Sequence, residues 1–557
     1  MDIKKTLLWV VFSVSGVMLF NNWQISQGNN PLPFLAPPPS VSNQQKLNNT
    51  KVDAVPKVTE QKVEGVSAPK QSPEANTVTN IKTITLKNNL IEIEISTKGA
   101  TITKAILKQH LENNEPIILL QSQGSNTYLA RSGLISMGLD LANHNDVYLD
   151  KVIEEDQKVV FSVDKNGVTL EKTFSLLPDS YVIAVQNKVI NHSPSPVNAY
   201  LYTELIRDSN IKEESQFYST FTGAAIYTDQ QKYHEVAFSD IEKNKVKIPT
   251  ALLKGEEGWI AMVQHYFASA WIPDPANPRE MYFDKLDNSL FRVGLKSELP
   301  TVAPGANTIQ NSKLFIGPEE DALLKEVAPG FDLIKDYGHL TIIAKPIFWL
   351  LTQIHHIVQN WGWAIIVLTI MIKLVFFPLS AASYKSMARM KEVQPRLMQM
   401  KEQFKNDPQK LNSAMMEMYK KEKINPLGGC LPVVIQIPVF ISLYWVLLLS
   451  VEMRGAPWLG WIHDLSKPDT LLSDLVGIGT PIGILPILMA ISMFIQTKLN
   501  PTPPDPVQAK VMLYMPLAFS LMFFFFPSGL VLYYIVNNVL SIAQQWQINK
   551  MFGVKNI

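Results

Sequence analysis

The sequence has very little cysteine and none of the common catalytic motifs. Cys430 is the only cysteine in 557 residues, so no intramolecular disulfide can form and an exported domain would depend on its core. The Gly-x4-Gly-Lys-Ser/Thr, His-Glu-x-x-His and Gly-x-Ser-x-Gly patterns are all missing. We therefore expect no enzyme activity, no cofactor and no metal site. His355 and His356 are adjacent, so on a helix they point to different sides and make a poor metal-binding pair.

The long apolar runs of the last 200 residues contain no aspartate or glutamate. Ion-coupled transporters usually carry acids at membrane depth, so this absence counts against that class. Each run is close to the length that a bilayer requires. We place five transmembrane spans at residues 360–379, 430–449, 481–497, 511–526 and 529–546.

The N-terminal segment reads as a membrane anchor followed by a linker. Lys4 and Lys5 precede an apolar run that ends near residue 24, and no convincing cleavage site follows closely. A cleaved signal peptide is the alternative to this anchor, residues 1–24. Residues 25–79 are rich in Pro, Asn, Gln, Ser and Lys and cannot bury a core, which predicts a flexible linker.

Residues 80–335 show the two-residue periodicity of half-buried strands. Ile91–Ile95 alternates isoleucine with glutamate, and similar short runs recur near 159–163 and 181–185. Turn signals such as Asn166-Gly167 separate them. This spacing predicts an all-β antiparallel sandwich domain. Residues 336–358 follow, with apolar residues at helical spacing but also Lys345 and Pro346, which predicts an amphipathic helix lying in the membrane interface.

The distribution of lysine and arginine predicts the orientation of the spans. The loop 380–429 carries ten of these residues, whereas residues 451–480 carry only Arg454 and Lys467. The positive-inside rule therefore puts the first loop in the cytoplasm and the second outside. With six spans, both termini, including a short tail at 547–557, are cytoplasmic, and the β domain is periplasmic.

The basic loop 380–429 itself is composed of good helix formers, interrupted at Asn406-Asp407-Pro408, which predicts a helical hairpin. Seven methionines lie in it between residues 387 and 418. They could form an adaptable binding surface or simply pack the two helices together, and the sequence favours neither alternative.

Polar residues on three of the spans are the candidate functional site. Lys373 lies about 8 Å inside the cytoplasmic end of its span, and Thr369 is one turn away. Gln436 interrupts a second apolar run. Four residues of the last span recur at steps of three and four, namely Tyr534, Asn537, Ser541 and Gln545. A shared hydrophilic groove is one explanation; a snorkelling lysine and ordinary interhelical hydrogen bonds are the other.

Several motifs resemble those of the YidC/Oxa/Alb family of membrane protein insertases, in the Gram-negative type with a large periplasmic domain. They are residues 425–432 (NPLGGCLP), 436–438 (QIP), 461–465 (WIHDL), 526–534 (FPSGLVLYY) and 394–395 (QP). The resemblance implies six transmembrane helices, five of which form a core with a groove open to cytoplasm and lipid but closed to the periplasm.

The resemblance also implies roles for individual residues. Gln436 and Tyr534 occupy groove-lining positions, and Lys373 stands where the family typically has an arginine. That departure keeps the positive charge but loses the planar, two-pronged donor. The long basic tail of some relatives is missing, because only Lys550 and Lys555 follow Trp546.

These observations predict an inner-membrane protein that inserts and folds other membrane proteins, alone or with the Sec translocon. The expected partners are nascent membrane proteins, the Sec translocon, membrane lipids and, through the cytoplasmic loops, ribosome–nascent chain complexes; no direct contact with nucleic acid is expected. A solute transporter using the polar stripe is the alternative. An enzyme housed in the β domain is a third possibility, although no convergent catalytic set is visible there.

The orientation can be tested with alkaline phosphatase fusions. A fusion within residues 380–429 should be inactive and one after Ser180 active, because the enzyme folds only after export. The opposite pattern of activities would overturn the predicted topology.

Overall fold

The chain divides into two compact units, Met1–Lys335 and Asp336–Ile557. The computed structural model describes residues 54–56, 81–112, 114–122, 126–210, 220–230, 232–246, 248–249, 253–255, 257–275, 278–287, 289–404, 407–422, 431–477, 481–499 and 506–551. The predicted anchor and most of the predicted linker lie outside these residues, as do Cys430 and the tail after residue 551.

The first unit is built from strands joined by short turns. Its strands are β1 (Thr83–Lys87), β2 (Ile91–Ser96), β3 (Thr101–Glu112), β4 (Glu115–Leu120), β5 (Tyr128–Ile135), β6 (Leu149–Glu154), β7 (Lys158–Lys165), β8 (Val168–Leu176), β9 (Val182–Asn191), β10 (Tyr200–Asp208), β11 (Gly223–Thr228), β12 (Lys232–Val236), β13 (Lys254–Gly255), β14 (Trp259–Gln264), β15 (Phe267–Pro273), β16 (Arg279–Lys285), β17 (Leu290–Glu298) and β18 (Asn307–Pro318). Two short helices, α1 (Phe238–Glu242) and α2 (Asp321–Val327), complete it.

The strands form two antiparallel sheets. One has the order β1-β2-β3-β5-β10-β17-β16-β13, with β4 on β3, and the other β12-β11-β14-β15-β18-β9-β8-β7-β6. The isoleucines of β2 are buried while its glutamates are half-exposed, as the alternation requires. Trp271 in one sheet donates to the carbonyl oxygen of Glu204 in the other, at 3.2 Å. The prediction of an antiparallel β-sandwich is confirmed.

A buried ionic network ties together the strands of the first sheet. Glu204 is fully buried; it accepts a hydrogen bond from Arg131 and another from the Tyr282 hydroxyl at 2.8 Å, and it lies 3.4 Å from the Arg292 guanidinium. Arg292 also donates to the carbonyl oxygen of Ala54, at 2.7 Å. Removing one member would strand a buried charge, which typically costs about 3–5 kcal/mol.

Lys172 is a fully buried lysine in the sandwich core. Its ammonium donates to the carbonyl oxygens of Gly99 and Ser132, each at 2.7 Å, and lies 4.7 Å from the centre of the Tyr148 ring. Burial lowers the pKa of Lys172 to about 7, and the nearby Asp146 opposes that shift. The folded domain therefore favours the neutral amine more strongly than the unfolded chain does.

The second unit is helical. Its helices are α3 (Thr341–Val358), α4 (Trp361–Val375), α5 (Phe377–Gln403), α6 (Pro408–Lys421), α7 (Leu431–Leu449), α8 (Leu471–Val476), α9 (Ile484–Leu499), α10 (Pro506–Met522) and α11 (Ser528–Met551). The helix α3 lies within the segment predicted to be interfacial. It buries Ala344 and Leu351 but exposes Ile342, Trp349 and Ile357.

The predicted span 360–379 is divided between two helices that meet at 66°. Pro378 has no N–H to donate to the carbonyl oxygen of Leu374, so a straight helix cannot continue through this point. In the described part of the chain, no single helix is both long and apolar enough to cross a bilayer, but this bent pair could by length and composition. Shorter apolar helical stretches are Ile435–Leu449, Ile484–Leu499 and Leu513–Phe525.

The helices α5 and α6 pack on each other through a small apolar cluster. Val393 and Leu397 are buried in it, with Met390, Met415, Met418 and Tyr419 against them. Met398 and Met416 are exposed instead. Some methionines therefore pack the two helices together, and the binding surface stays a prediction for the exposed ones.

The buried Lys172 predicts a pH-dependent stability of the β unit. Between pH 7 and 9 the unfolded chain holds a proton at this side chain that the folded chain lacks. Raising the pH should therefore stabilise the fold, by at most about 1.4 kcal/mol per pH unit. Urea unfolding of residues 81–335, followed through Trp259 and Trp271, measures this slope.

Two variants make this test specific to one side chain. Lys172→Met should abolish the slope, and Lys188→Met, at a partly exposed site paired with Glu171, should keep it. Parallel pH curves for wild type and Lys172→Met would show that another group is responsible.

Candidate functional site

The helix α11 occupies the middle of the helical unit, where it packs against α4, α5, α7 and α9. Most polar residues in the middle of this helix are buried or half-buried, whereas Gln547 and Lys550 near its end are exposed. Each buried polar residue must therefore find a partner on a neighbouring helix, on its own backbone or in water. The polar residues predicted as the functional site lie on α11 and on two of these neighbours.

Lys373 of α4 is bound to α11 by a single hydrogen bond. The residue is 5% exposed, and its ammonium donates to the Ser541 hydroxyl at 2.7 Å. The Ser541 hydroxyl in turn donates to the carbonyl oxygen of Asn537, also at 2.7 Å. Among the residues described by the structure, no carboxylate forms an ion pair with Lys373.

A second contact joins α11 to α7. Gln436 donates from its side-chain amide to the Asn537 side-chain oxygen, at 3.3 Å. Asn537 is one turn from Ser541, so the two contacts are continuous along α11. We call Lys373, Gln436, Asn537 and Ser541 the polar cluster. Three helices thus contribute to it, as the sequence pattern predicts for a shared site.

Two other predicted residues do not join the polar cluster through hydrogen bonds seen in the described residues. The Thr369 hydroxyl donates to the carbonyl oxygen of Ile365 in its own helix, at 2.7 Å. The Tyr534 ring lies between the rings of Phe440 and Phe523, with both centroid distances 4.7 Å. Tyr534 therefore packs against aromatic side chains in the described residues and is not counted in the polar cluster.

Sequence reasoning missed some partners of α11. Tyr384 of α5 hydrogen-bonds to Ser541, although it lies in the segment predicted as part of the cytoplasmic hairpin. Gln545, predicted to continue the polar stripe, donates to the carbonyl oxygen of Leu499 on α9 instead. Asn538 of α11 donates from its side-chain amide to the Ser492 hydroxyl of α9, at 3.0 Å. The polar residues of α11 thus bind several different helices. Their spacing in the sequence does not predict which helix each of them faces.

The arrangement suits binding more than chemistry. An ammonium group has three N–H donors, and the described residues accept one from Lys373. The chemistry of the other two suits water, a carbonyl oxygen or a carboxylate. No group of three or more His, Cys, Asp or Glu side chains able to hold a metal occurs in the described residues. His355 stacks on Trp361 at 3.9 Å.

Comparison with known proteins also divides the chain into two parts, with the boundary inside α3 and not at residue 335. Residues 83–350 match the model of the YidC periplasmic domain, and residues 353–555 match that of the 60Kd inner membrane protein. Membrane protein insertase YidC of Polynucleobacter necessarius is 54% identical over all of both chains. The chain belongs to the YidC family of membrane protein insertases. The YidC of Cupriavidus necator is 52% identical over 99% of this chain and 98% of its own.

Membership of the YidC family decides between the functions considered from the sequence. The chain is an inner-membrane protein with a periplasmic β domain, and neither the transporter nor the enzyme alternative is supported. A crystal structure of an active YidC insertase with its first transmembrane domain resolved covers 84% of this chain and 92% of its own, with 17% identity and a TM-score of 0.38.

Proposed function

We propose that this YidC-family chain inserts and folds membrane proteins by receiving their hydrophilic segments at the polar cluster. The observation that carries the proposal is the hydrogen bond between Lys373 and Ser541. A cation buried among apolar helices without a carboxylate partner is costly for stability alone. Such a group fits a site whose ligand, a polar stretch of substrate with its water, comes and goes.

The proposed mechanism needs no nucleotide. A polar segment entering the inner leaflet would lose its hydration, and the polar cluster replaces part of that hydration with fixed donors and acceptors. The substrate's own apolar segment then moves into lipid. Burying an apolar side chain is worth about 1.5–3 kcal/mol, so about 20 such residues provide a large driving force.

The proposed topology has six spans, including the predicted anchor, with both termini in the cytoplasm. Its support is the excess of lysine and arginine in the loop 380–429 over residues 451–480. The helices α5 and α6 then lie on the cytoplasmic side, where ribosome–nascent chain complexes arrive. The exposed Met398 and Met416 offer apolar contacts there. The Sec translocon and membrane lipids complete the proposed partners.

Lysine at residue 373 favours binding through charge and hydration over binding through hydrogen bonds of fixed geometry. A guanidinium would hold a carboxylate through two parallel hydrogen bonds, whereas an ammonium is a compact and strongly hydrated charge. Lys373 therefore suits substrates that need a wet, positive environment rather than a fixed geometry.

Substitutions of Lys373 test the polar cluster. Lys373→Arg should be tolerated because charge and hydration persist. Lys373→Leu should impair substrates with acidic translocated tails more than neutral ones, since electrostatic attraction is lost together with hydration. Lys373→Glu should be the most damaging because it repels those acids. Complementation of insertase depletion, with protease protection of one acidic-tail and one neutral-tail substrate, measures these effects.

Stability measurements separate loss of binding from loss of fold. Lys373→Leu should unfold in detergent at a temperature no lower than that of wild type, because it removes a buried charge. Thr369→Val, which loses only a hydrogen bond within α4, is the matched control in the same helix. Equal growth and equal protection for Lys373→Leu and wild type would refute the role given to the charge.

Insertion should survive removal of the β unit, since the polar cluster lies entirely in the helical unit. The deletion should cover residues 81–335. A cut limited to 223–307 would remove β11 to β17 from both sheets and leave unpaired strand edges. Insertion of a simple single-span substrate is the measurement. Its complete loss in a stably expressed deletion protein would contradict the assignment of the function to the helices.

A further inference from the structure

Part of the segment that joins α7 to α9 is buried, although other residues in it, such as Leu459, Leu475 and Val476, are exposed. This segment, residues 450–477 and 481–483 among those described, is called the α7–α9 loop; it contains α8. Met453, Ile462, Leu465 and Asp469 in it are each less than 5% exposed. Loops normally run over the surface because their backbone needs water. A buried loop must satisfy its polar groups inside the protein.

The backbone of the α7–α9 loop receives the first N–H groups of α11. The carbonyl oxygen of Lys467 accepts from the backbone N–H and the hydroxyl of Ser528, at 2.8 and 2.7 Å. The carbonyl oxygen of Leu465 accepts from the N–H of Gly529, at 2.9 Å. The first N–H groups of a helix have no partner within it, so these contacts complete the start of α11.

Asp469 does the same for α9. One of its carboxylate oxygens accepts from the backbone N–H of Leu485 at 2.8 Å, in the first turn of that helix. The other accepts from the backbone N–H of Leu471 and from the Trp461 indole, both at 3.2 Å. A carboxylate at a helix N-terminus also meets the positive end of the helix dipole. Asp469 thereby joins the middle of the α7–α9 loop, at Trp461 and Leu471, to the start of α9.

The start of α4 meets the same loop. Asn360, which caps α4, donates from its side chain to the carbonyl oxygen of Pro457 at 3.0 Å. Gly362 lies against the Trp458 side chain so closely that an added Cβ would be 2.2 Å from the ring. An added Cβ at Gly483 would likewise be 2.3 Å from Asp469. Three helices therefore start at one loop. There is no room for a side chain at Gly362 or at Gly483.

We infer that Asp469 is a positioning residue that locks the α7–α9 loop across the starts of α4, α9 and α11 and so keeps that end of the helical unit impermeable to ions. The inference rests on the proposed function, in which this end faces the periplasm and the polar cluster is wetted from the cytoplasm. A hydrated site on one side of a membrane is harmless only while the other side is closed. The three hydrogen bonds of Asp469 supply that closure.

Proton leak through the full-length chain in liposomes tests the inference, with entrapped pyranine reporting the decay of a pH gradient. Asp469→Ala loses all three hydrogen bonds and should leak at least about tenfold faster than wild type. The loss of even one hydrogen bond to a charged group would raise the fraction of molecules with an open loop by about that factor. Asp469→Asn should leak less than the alanine variant, because one oxygen acceptor remains. Asp474→Ala is the matched control: this acid is exposed in the same loop and accepts a hydrogen bond from the Thr470 hydroxyl.

Insertion of a single-span substrate is measured in the same vesicles, so the two conclusions can fail separately. Faster leak in the Asp469 variants, with wild type and Asp474→Ala tight, supports the inference. If Asp469→Ala does not fold, Asp469→Asn and Ser528→Ala, which loses the hydroxyl contact with Lys467, decide the result. Tight vesicles for every folded variant would overturn it. A wild-type chain that does not insert the substrate would refute the proposed function and leave the leak comparison intact.

Discussion

The helical unit depends on hydrogen-bond acceptors for the N–H groups at the starts of its helices. Each helix begins with N–H groups that its own turns cannot bind. Here Asp469, Leu465 and Lys467 supply acceptors for the starts of α9 and α11, and Asn360 connects the start of α4 to the same loop. Because one loop serves three helices, their starts are fixed relative to one another. The positions of Lys373, Asn537 and Ser541 further along those helices follow from this arrangement.

The β-sandwich was largely predictable from sequence, and the reason is local. An alternating run such as β2 commits one face to the core whatever its neighbours are, so strand existence and class follow from periodicity. The order of the strands does not, because β10 pairs with β5 and β17, far away in the sequence. The burial of Lys172 could not be predicted either, since its carbonyl acceptors are Gly99, in the turn between β2 and β3, and Ser132 in β5, both distant in the sequence.

The candidate site was predictable in composition but not in connectivity. Polar residues in apolar runs stand out, which identified Lys373, Gln436, Asn537 and Ser541. Which of them bind one another depends on the rotation of each helix about its axis. Gln545, one turn beyond Ser541, therefore donates to the Leu499 carbonyl oxygen of α9 and not to a member of the polar cluster. Asp469 gave no signal at all. An aspartate beside a proline in a polar loop looks like a surface turn, and only the tertiary contacts show its burial.

The bend between α4 and α5 has a mechanical consequence. Phe376 alone separates the two helices, and Lys373 lies within one turn of it. The same α5 carries Tyr384, which touches Ser541, and continues into the hairpin with α6. A force on the hairpin would act on the angle between α4 and α5 at Phe376. Because Tyr384 and the hairpin belong to the same helix, any change in the angle between α4 and α5 moves both of them relative to Ser541.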